Sequence, residues 1–458
     1  MEKRCAVLLA AGEGKRMGGR GSKVLCQVLF RPLIRWVYDN CAGAGIEDIC
    51  VIVGKNSEDV LRELPQGTHT ALQEQRLGTG HAVLQAKAFL EERRDWDVLV
   101  ANGDAPFLFP RLIQGAWEAH RAGQNAMTVI SARVEDPAGY GRILRDGEGV
   151  RAIVEERDAD DAQKAVREIN AGCCWFRGGD LLEALEELTP QNVQGELYLT
   201  DALGILREKG RRVDAWDAGD PRVVLGANDR RQLAGLNAIA REMVFDRLYD
   251  QGVDIPVTDG VMIDPRARIA PGARILPGTV IRGETAVGRD SVIGPNSWLE
   301  DSTLGEGCLI QASYILGSTL EDRVQIGPFS RVRPGCRIGA GVKIGNFVEV
   351  KNSVLGPGTK SAHLTYIGDA DVGAGVNFGC GVCIANYDGV KKHRTTIGDG
   401  VFLGCNTNLI APVKLGDGAY TAAGTTVTRD VPEDALCIGR PRQTVLPDRA
   451  RDYRKPEK

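Results

Sequence analysis

Aromatic side chains are scarce: Phe, Trp and Tyr supply only 5% of the 458 residues. Such a composition suits an interior filled by small aliphatic side chains. No large charge excess is present either. The formal net charge of −4 and pI near 5.9 leave no basic footprint for nucleic acid. Apolar runs such as Cys5–Ala11 are far too short to cross a bilayer, and the N-terminus shows no apolar signal-like segment. The twelve cysteines have no secretory spacing. Cys380 and Cys383 form a CxxC that no second pair answers. Reduced thiols and a cytoplasmic location are therefore expected. Histidine is rare as well: within the repeats described next only His363 and His393 occur, too few for a zinc hydratase built on several histidine ligands.

What the chain does have is glycine and a six-residue rhythm. One aliphatic run reads Ile263, Ile269, Ile275, Ile281, Val287, Ile293, Leu299. A second reads Ile326, Val332, Ile338, Ile344, Val350, and a third Ile397, Leu403, Leu409, Leu415, Thr421, Val427. Six residues fit neither an α-helix nor a free strand, but they suit one short strand plus one turn of a parallel β-helix. A single coil cannot bury its aliphatic face alone, so only the stack is stable. The rhythm slips at Val350 to Leu355 and Ile367 to Val372, both five residues, and at Val390 to Ile397, seven residues. Slips mark altered turns or protruding loops, and Lys351, His363, Tyr366, Asn386 and Tyr387 cluster around them.

The N-terminal half reads differently. Cys5–Gly12 is a buried strand entering a glycine loop, and Asp48–Gly54 and Trp96–Asp104 are further strands with helical stretches between. That order predicts a Rossmann-like α/β domain with a mostly parallel sheet. Residues 229–250 place Leu233, Leu236, Ile239, Met243 and Leu248 at helical spacing, with Asp229 as cap and Gly252 as stop. The expected boundaries are 1–228, a linker helix over 229–250, a β-helix over 251–438 and a basic arm over 439–458.

Several N-terminal segments carry chemistry. The loop Leu9–Met17 follows a strand, so its backbone N–H groups can face phosphates, and Arg16 and Lys23 add cations. The segment Gln73–Ala82 offers polar groups and a second glycine turn able to read a base. Asp104 ends an apolar strand, where α/β domains gather ligands, and its carboxylate suits Mg²⁺. Any one of these segments alone reads as a solvated loop. Together, with GYGR at 139–142, VEERDA at 154–159, EINAG at 168–172 and GAND at 226–229, they point to a nucleotide site.

In this order the motifs resemble the bifunctional N-acetylglucosamine-1-phosphate uridyltransferase / glucosamine-1-phosphate acetyltransferase family of bacterial cell-envelope synthesis. The resemblance runs from Val7 to about Arg440. It implies a nucleotidyltransferase domain followed by a left-handed parallel β-helix of hexapeptide repeats, assembled as a homotrimer. It implies that Leu9, Ala10, Ala11 and Gly12 hold UTP and that Lys23 meets its phosphates. Gln73, Gly78 and Thr79 would read uracil, Asn102 and Gly103 would also bind the nucleotide or its sugar, and Gly141, Glu155 and Asn170 would hold the sugar. Asp104 and Asn228 would bind Mg²⁺.

For the β-helix the resemblance implies acetyl transfer from acetyl-CoA, with His363 as general base. Arg333, Lys351, Tyr366 and Asn377 would grip the amino-sugar phosphate. Cys380, Asn386, Tyr387, Cys405, Ala423 and Arg440 would belong with coenzyme A. The acetyl site would lie between neighbouring chains, with the arm from Gly439 reaching across. Three positions depart from the family pattern: Asn102 replaces a frequent tyrosine, Cys380 an alanine and Cys405 a serine. Two rivals stay open at this point, a single-activity sugar nucleotidyltransferase with a structural β-helix, and a nucleotide-sugar-sensing scaffold without turnover.

Overall fold

The computed structural model describes residues 3–12, 22–55, 57–147 and 149–454. The chain divides into two compact units, Met1–Ala240 and Arg241–Lys458. The helix Arg230–Asp250 carries the chain from one to the other, started by Asp229, whose carboxylate accepts the Gln232 N–H at 2.8 Å.

The first unit is built mainly on one nine-stranded sheet. Along its main path the strands run Val213–Asp217, Met127–Arg133, Glu168–Arg177, Asp97–Asn102, Arg4–Leu9, Asp48–Val53 and His69–Leu72, and the hairpin Arg142–Asp146 and Gly149–Val154 joins through Glu168–Arg177. Neighbours along the main path are parallel except Glu168–Arg177, which opposes both strands beside it. Nearly every residue of Arg4–Leu9, Asp48–Val53 and Asp97–Asn102 is buried, because helices cover both sheet faces. The order reverses at Arg4–Leu9: the next two strands lie to one side, and Asp97–Asn102 lies on the other. A crevice forms outside the carboxyl ends of the strands flanking such a reversal. There Leu9 stands in register with Asn102 and with Ile52.

The second unit is a three-faced stack of parallel strands, with ten, nine and ten strands on its faces. The first face begins at Met262–Ile263, the second at Arg268–Ile269 and the third at Arg274–Ile275. Each strand pairs with its counterpart one coil on, so Ile263 meets Ile281 and Ile281 meets Leu299. These aliphatics are fully buried, as are Ile326, Val332, Ile338, Ile344 and Val350. Each buried side chain of this size is worth roughly 1.5–3 kcal/mol. Val390 does not belong to the coil, although its spacing suggested so. It is 82% exposed, on a hairpin that Tyr387 and Lys392 close by pairing.

Candidate active sites

The crevice of the first unit is a cleft of about 440 Å³ lined by Leu9, Ala11, Gly12, Lys23, Gln73, Gly78, Thr79, Asn102, Asp104 and Asn228, among others. A lobe of about 240 Å³ continues from it, lined by Gly141, Glu155 and Asn170, with Leu9, Thr79 and Asn102 common to both. Nearly all of the N-terminal residues singled out in the sequence thus meet in one place. Ala10 and Gly103 lie beneath the surface instead. Ala10 is buried, and a Cβ on Gly103 would meet the Leu9 carbonyl oxygen at 2.8 Å. Their contribution is to let two strand ends approach closely. Arg16 falls outside the described residues.

On the cleft wall, Lys23 Nζ donates to Asn228 Oδ1 at 2.6 Å and forms an ion pair with Asp104. An anionic carboxylate oxygen and an amide oxygen therefore converge on one cationic atom. Two such hard oxygens, with phosphates to complete the shell, suit Mg²⁺. Among the described residues no cluster of three His, Cys, Asp or Glu could hold a metal more fully.

The segment around Gln73 and Gly78 is held by backbone geometry. Gly78 has φ +108°, and a Cβ there would stand 2.4 Å from the Leu197 carbonyl oxygen, so only glycine fits. Gln73 is buried, and its amide donates to the Gly78 carbonyl at 3.2 Å. In the second lobe the Glu155 carboxylate accepts from Thr200 Oγ1 at 3.2 Å, and burial pushes its pKa up. Asn102 packs against Gly172, where a Cβ would come within 2.1 Å of Asn102 Nδ2. Sequence reasoning missed Arg76, Tyr140 and Thr200. Arg76 and Tyr140 lay inside segments already quoted, and Arg76 Nε donates to the Ala11 carbonyl at 2.8 Å, tying the two glycine segments together.

On the second unit the residues sort onto two edges of the first face. The edge entered from the third face carries, coil after coil, Asn346, His363, Cys380, Cys405 and Ala423. Asn346 pairs with His363, and the same register carried along the third face aligns the others. Arg440 donates to the Ala423 carbonyl. The strand Leu436–Cys437 is the last of the third face, so Gly439 and Arg440 follow directly onto the same edge. Four coil spacings of ~4.8 Å put about 19 Å between His363 and the end of this column.

The far edge of the first face holds Arg333 and Lys351, and beside them Asn352, Asp369 and Asn386. Asp369 is buried and accepts from Asn352 Nδ2 at 2.6 Å and from the Asn386 amide. Burial alone would raise this carboxyl, but the two amides and then Lys351 outweigh it and hold it below its ordinary range. Arg333 pairs with Glu349 at 3.1 Å, and Lys351 Nζ lies 3.9 Å from Asp369. Lys392, on the protruding hairpin, stands against Lys351 and lowers its pKa, ahead of burial. Two ammonium groups held together make an anion-seeking pair. Tyr366 lies on the first face between the two edges, its hydroxyl over Gly368. Asn377 does not join it, standing on the third face in register with Lys360 and Phe402. Tyr387 is exposed, with its hydroxyl bonded to the Gly389 carbonyl at 2.6 Å. Asp369, Lys392 and Asn346 were missed by sequence reasoning.

Comparison with known proteins agrees with both halves. Residues 6–197 match the MobA-like NTP transferase domain, and residues 317–352 and 394–429 match the bacterial transferase hexapeptide (six repeats). A protein of Acetivibrio thermocellus named bifunctional protein GlmU is 45% identical over 449 residues, covering 98% of this chain and 97% of its own. A protein of the same name from Geobacillus sp. is 45% identical over 444 residues, covering 97% and 96%. One from Caldanaerobacter subterraneus subsp. tengcongensis is 44% identical over 445 residues, covering 97% of each chain. The chain belongs to the bifunctional GlmU family. It is therefore an enzyme with a uridyltransferase half and an acetyltransferase half, and both rival readings fall. No described helix is long and apolar enough to cross a membrane.

Proposed function

We propose that the two sites act in sequence to make UDP-N-acetylglucosamine, acetylating glucosamine 1-phosphate on the β-helix and uridylylating the product in the N-terminal cleft. The observation that carries the reading is that each residue set gathers within its own unit, beside groups suited to its own reaction.

In the cleft, a phosphate oxygen of N-acetylglucosamine 1-phosphate attacks the α-phosphorus of UTP. The new P–O bond forms as the bond to pyrophosphate breaks. Glycine-lined backbone at Leu9–Gly12 approaches the phosphates, while Gln73 and the Gly78–Thr79 turn face the base. Glu155 and Asn170 face the sugar. Asp104 and Asn228 would hold Mg²⁺, which when bound neutralises phosphate charge. Lys23, released from those two oxygens, turns to the phosphates, and positioning with charge stabilisation supplies most of the acceleration.

On the β-helix, the amine of glucosamine 1-phosphate attacks the thioester carbonyl of acetyl-CoA. The C–N bond forms, the C–S bond breaks, and His363 takes the ammonium proton while coenzyme A leaves as its thiol. Coenzyme A lies along the Cys380, Cys405 and Ala423 column with its phosphates toward Arg440. Arg333, Lys351 and Lys392 hold the sugar phosphate. The working form is a homotrimer whose acetyl site is completed by a neighbour. What supports sharing is that Asn377 stands on a different face from Arg333, Lys351 and Tyr366. Lys351→Ala and Asn377→Ala chains, each inactive in acetyl transfer, should regain activity when denatured and refolded together. Light scattering should give three times 49.4 kDa. A monomeric mass with full acetyl transfer contradicts the shared site.

A further inference from the structure

A histidine acts as a base through only one ring nitrogen at a time, and what the other nitrogen touches decides which. His363 ends the strand Lys360–His363, and Asn346 ends the strand one coil below, Lys343–Asn346. The parallel register sets the two residues opposite each other. His363 Nδ1 lies 2.9 Å from Asn346 Oδ1. A carbonyl oxygen only accepts, so Nδ1 must carry the hydrogen. The lone pair of the neutral ring then resides on Nε2. Coil register reinforces the orientation, because both side chains leave adjacent strands at the same corner.

We propose that Asn346 is a positioning residue for acetyl transfer: its side-chain oxygen holds His363 as the Nδ1–H tautomer and presents Nε2 to the substrate ammonium. The inference rests on the reading of His363 as the base. An amide is also the choice that keeps the base matched to its task. The hydrogen bond to Oδ1 persists when the ring becomes cationic, yet no fixed negative charge holds the proton on the ring. A carboxylate there would stabilise the imidazolium and make His363 slower to give its proton back. On the third face the charged or titratable groups are Lys343 below and Lys360 on the same strand, with Cys380 in register above, and the adjoining first-face strands carry Glu349, which pairs with Arg333, and Tyr366. No carboxylate stands among the third-face neighbours to do the amide's work.

The test is the pH–rate profile of acetyl transfer in the full chain, with uridyl transfer by the same preparations as the control for folding. Asn346→Asp keeps the shape and the acceptor but adds charge, so its acid limb should move to higher pH while the alkaline plateau stays near wild type. Asn346→Leu removes the acceptor, so kcat should fall about tenfold or more, in the range by which groups orienting a histidine act. In that variant KM should be nearly unchanged, with no upward movement of the limb. His363→Ala separates the two ideas. If it retains acetyl transfer, the base assignment itself fails. If it is inactive while Asn346→Asp leaves the limb in place and Asn346→Leu keeps kcat, His363 is the base and Asn346 does not position it. A loss equal in both Asn346 variants at every pH would mean a packing role only.

Discussion

Glu155 shows at the scale of one residue what a site costs its fold. Its carboxyl is largely enclosed, with burial raising its pKa. A carboxyl whose folded pKa lies above its unfolded value keeps its proton longer in the folded chain. The unfolded chain therefore gains relative stability as the pH rises past the ordinary glutamate range, ~4.3. The penalty is absent below that range and fully present above the raised pKa. Glu155→Gln should thus raise the urea midpoint at pH 7.5 and leave it unchanged at pH 3.5, while weakening sugar binding. Tryptophan fluorescence follows this unit well, since Trp36, Trp96, Trp117, Trp175 and Trp216 lie within it and only Trp298 does not. Equal shifts at both pH values would show that Glu155 is not strained by burial. Cys405 offers a second residue-scale check, because it is exposed on the edge that carries His363. Alkylation should abolish acetyl transfer, spare uridyl transfer and be slowed by acetyl-CoA. Cys405→Ser should remove the sensitivity and keep the activity.

At the scale of the element, the corner ladder Asn352–Asp369–Asn386 ties three successive coils together. Asp369 is held below its ordinary pKa, so its stabilisation is present above ~3.9, the unfolded value, and is lost as the pH falls through the folded one. Asp369→Leu leaves two amides and Lys351 without their acceptor and should cost about 2 kcal/mol or more, as charged hydrogen bonds do. Acetyl transfer should drop at least tenfold as Asn386 loses its anchor, while uridyl transfer persists. Normal acetyl transfer in Asp369→Leu would show that the ladder is structural only. This ladder also marks the limit of what the sequence discloses. The aliphatic hexads fix which side chains point inward, and every residue in the three runs is buried, so the coil was legible. Asp104 was legible too, because a carboxylate after an apolar strand falls at the sheet's carboxyl end. Asp369 and Asn346 were not, because their partners lie one coil away, and the five-residue slips shorten that coil. Asn346 to His363, Asn352 to Asp369 and Asp369 to Asn386 are each 17 residues. A search for polar residues recurring at 17 would have found all three pairs. Lys392 escaped for another reason: its hairpin interrupts the repeat, and only folding lays it against Lys351.

At the scale of the whole molecule, two units with separate cores carry two chemistries on one chain. The sheet unit gathers its site where strand order reverses, using strand ends and glycine turns. The β-helix sets its candidate site residues along edges, where a side chain on one coil meets the next at a fixed spacing. Because the cores are separate, loss of one site should not disturb the other. The most direct measurement incubates pure protein with glucosamine 1-phosphate, acetyl-CoA, UTP and Mg²⁺, and follows coenzyme A and pyrophosphate separately. Wild type should release both. Asp104→Ala should release coenzyme A at the normal rate and no pyrophosphate. His363→Ala should release neither, yet should give pyrophosphate normally once N-acetylglucosamine 1-phosphate is supplied. Loss of both activities in either variant, with its circular dichroism unchanged, would contradict two independent sites.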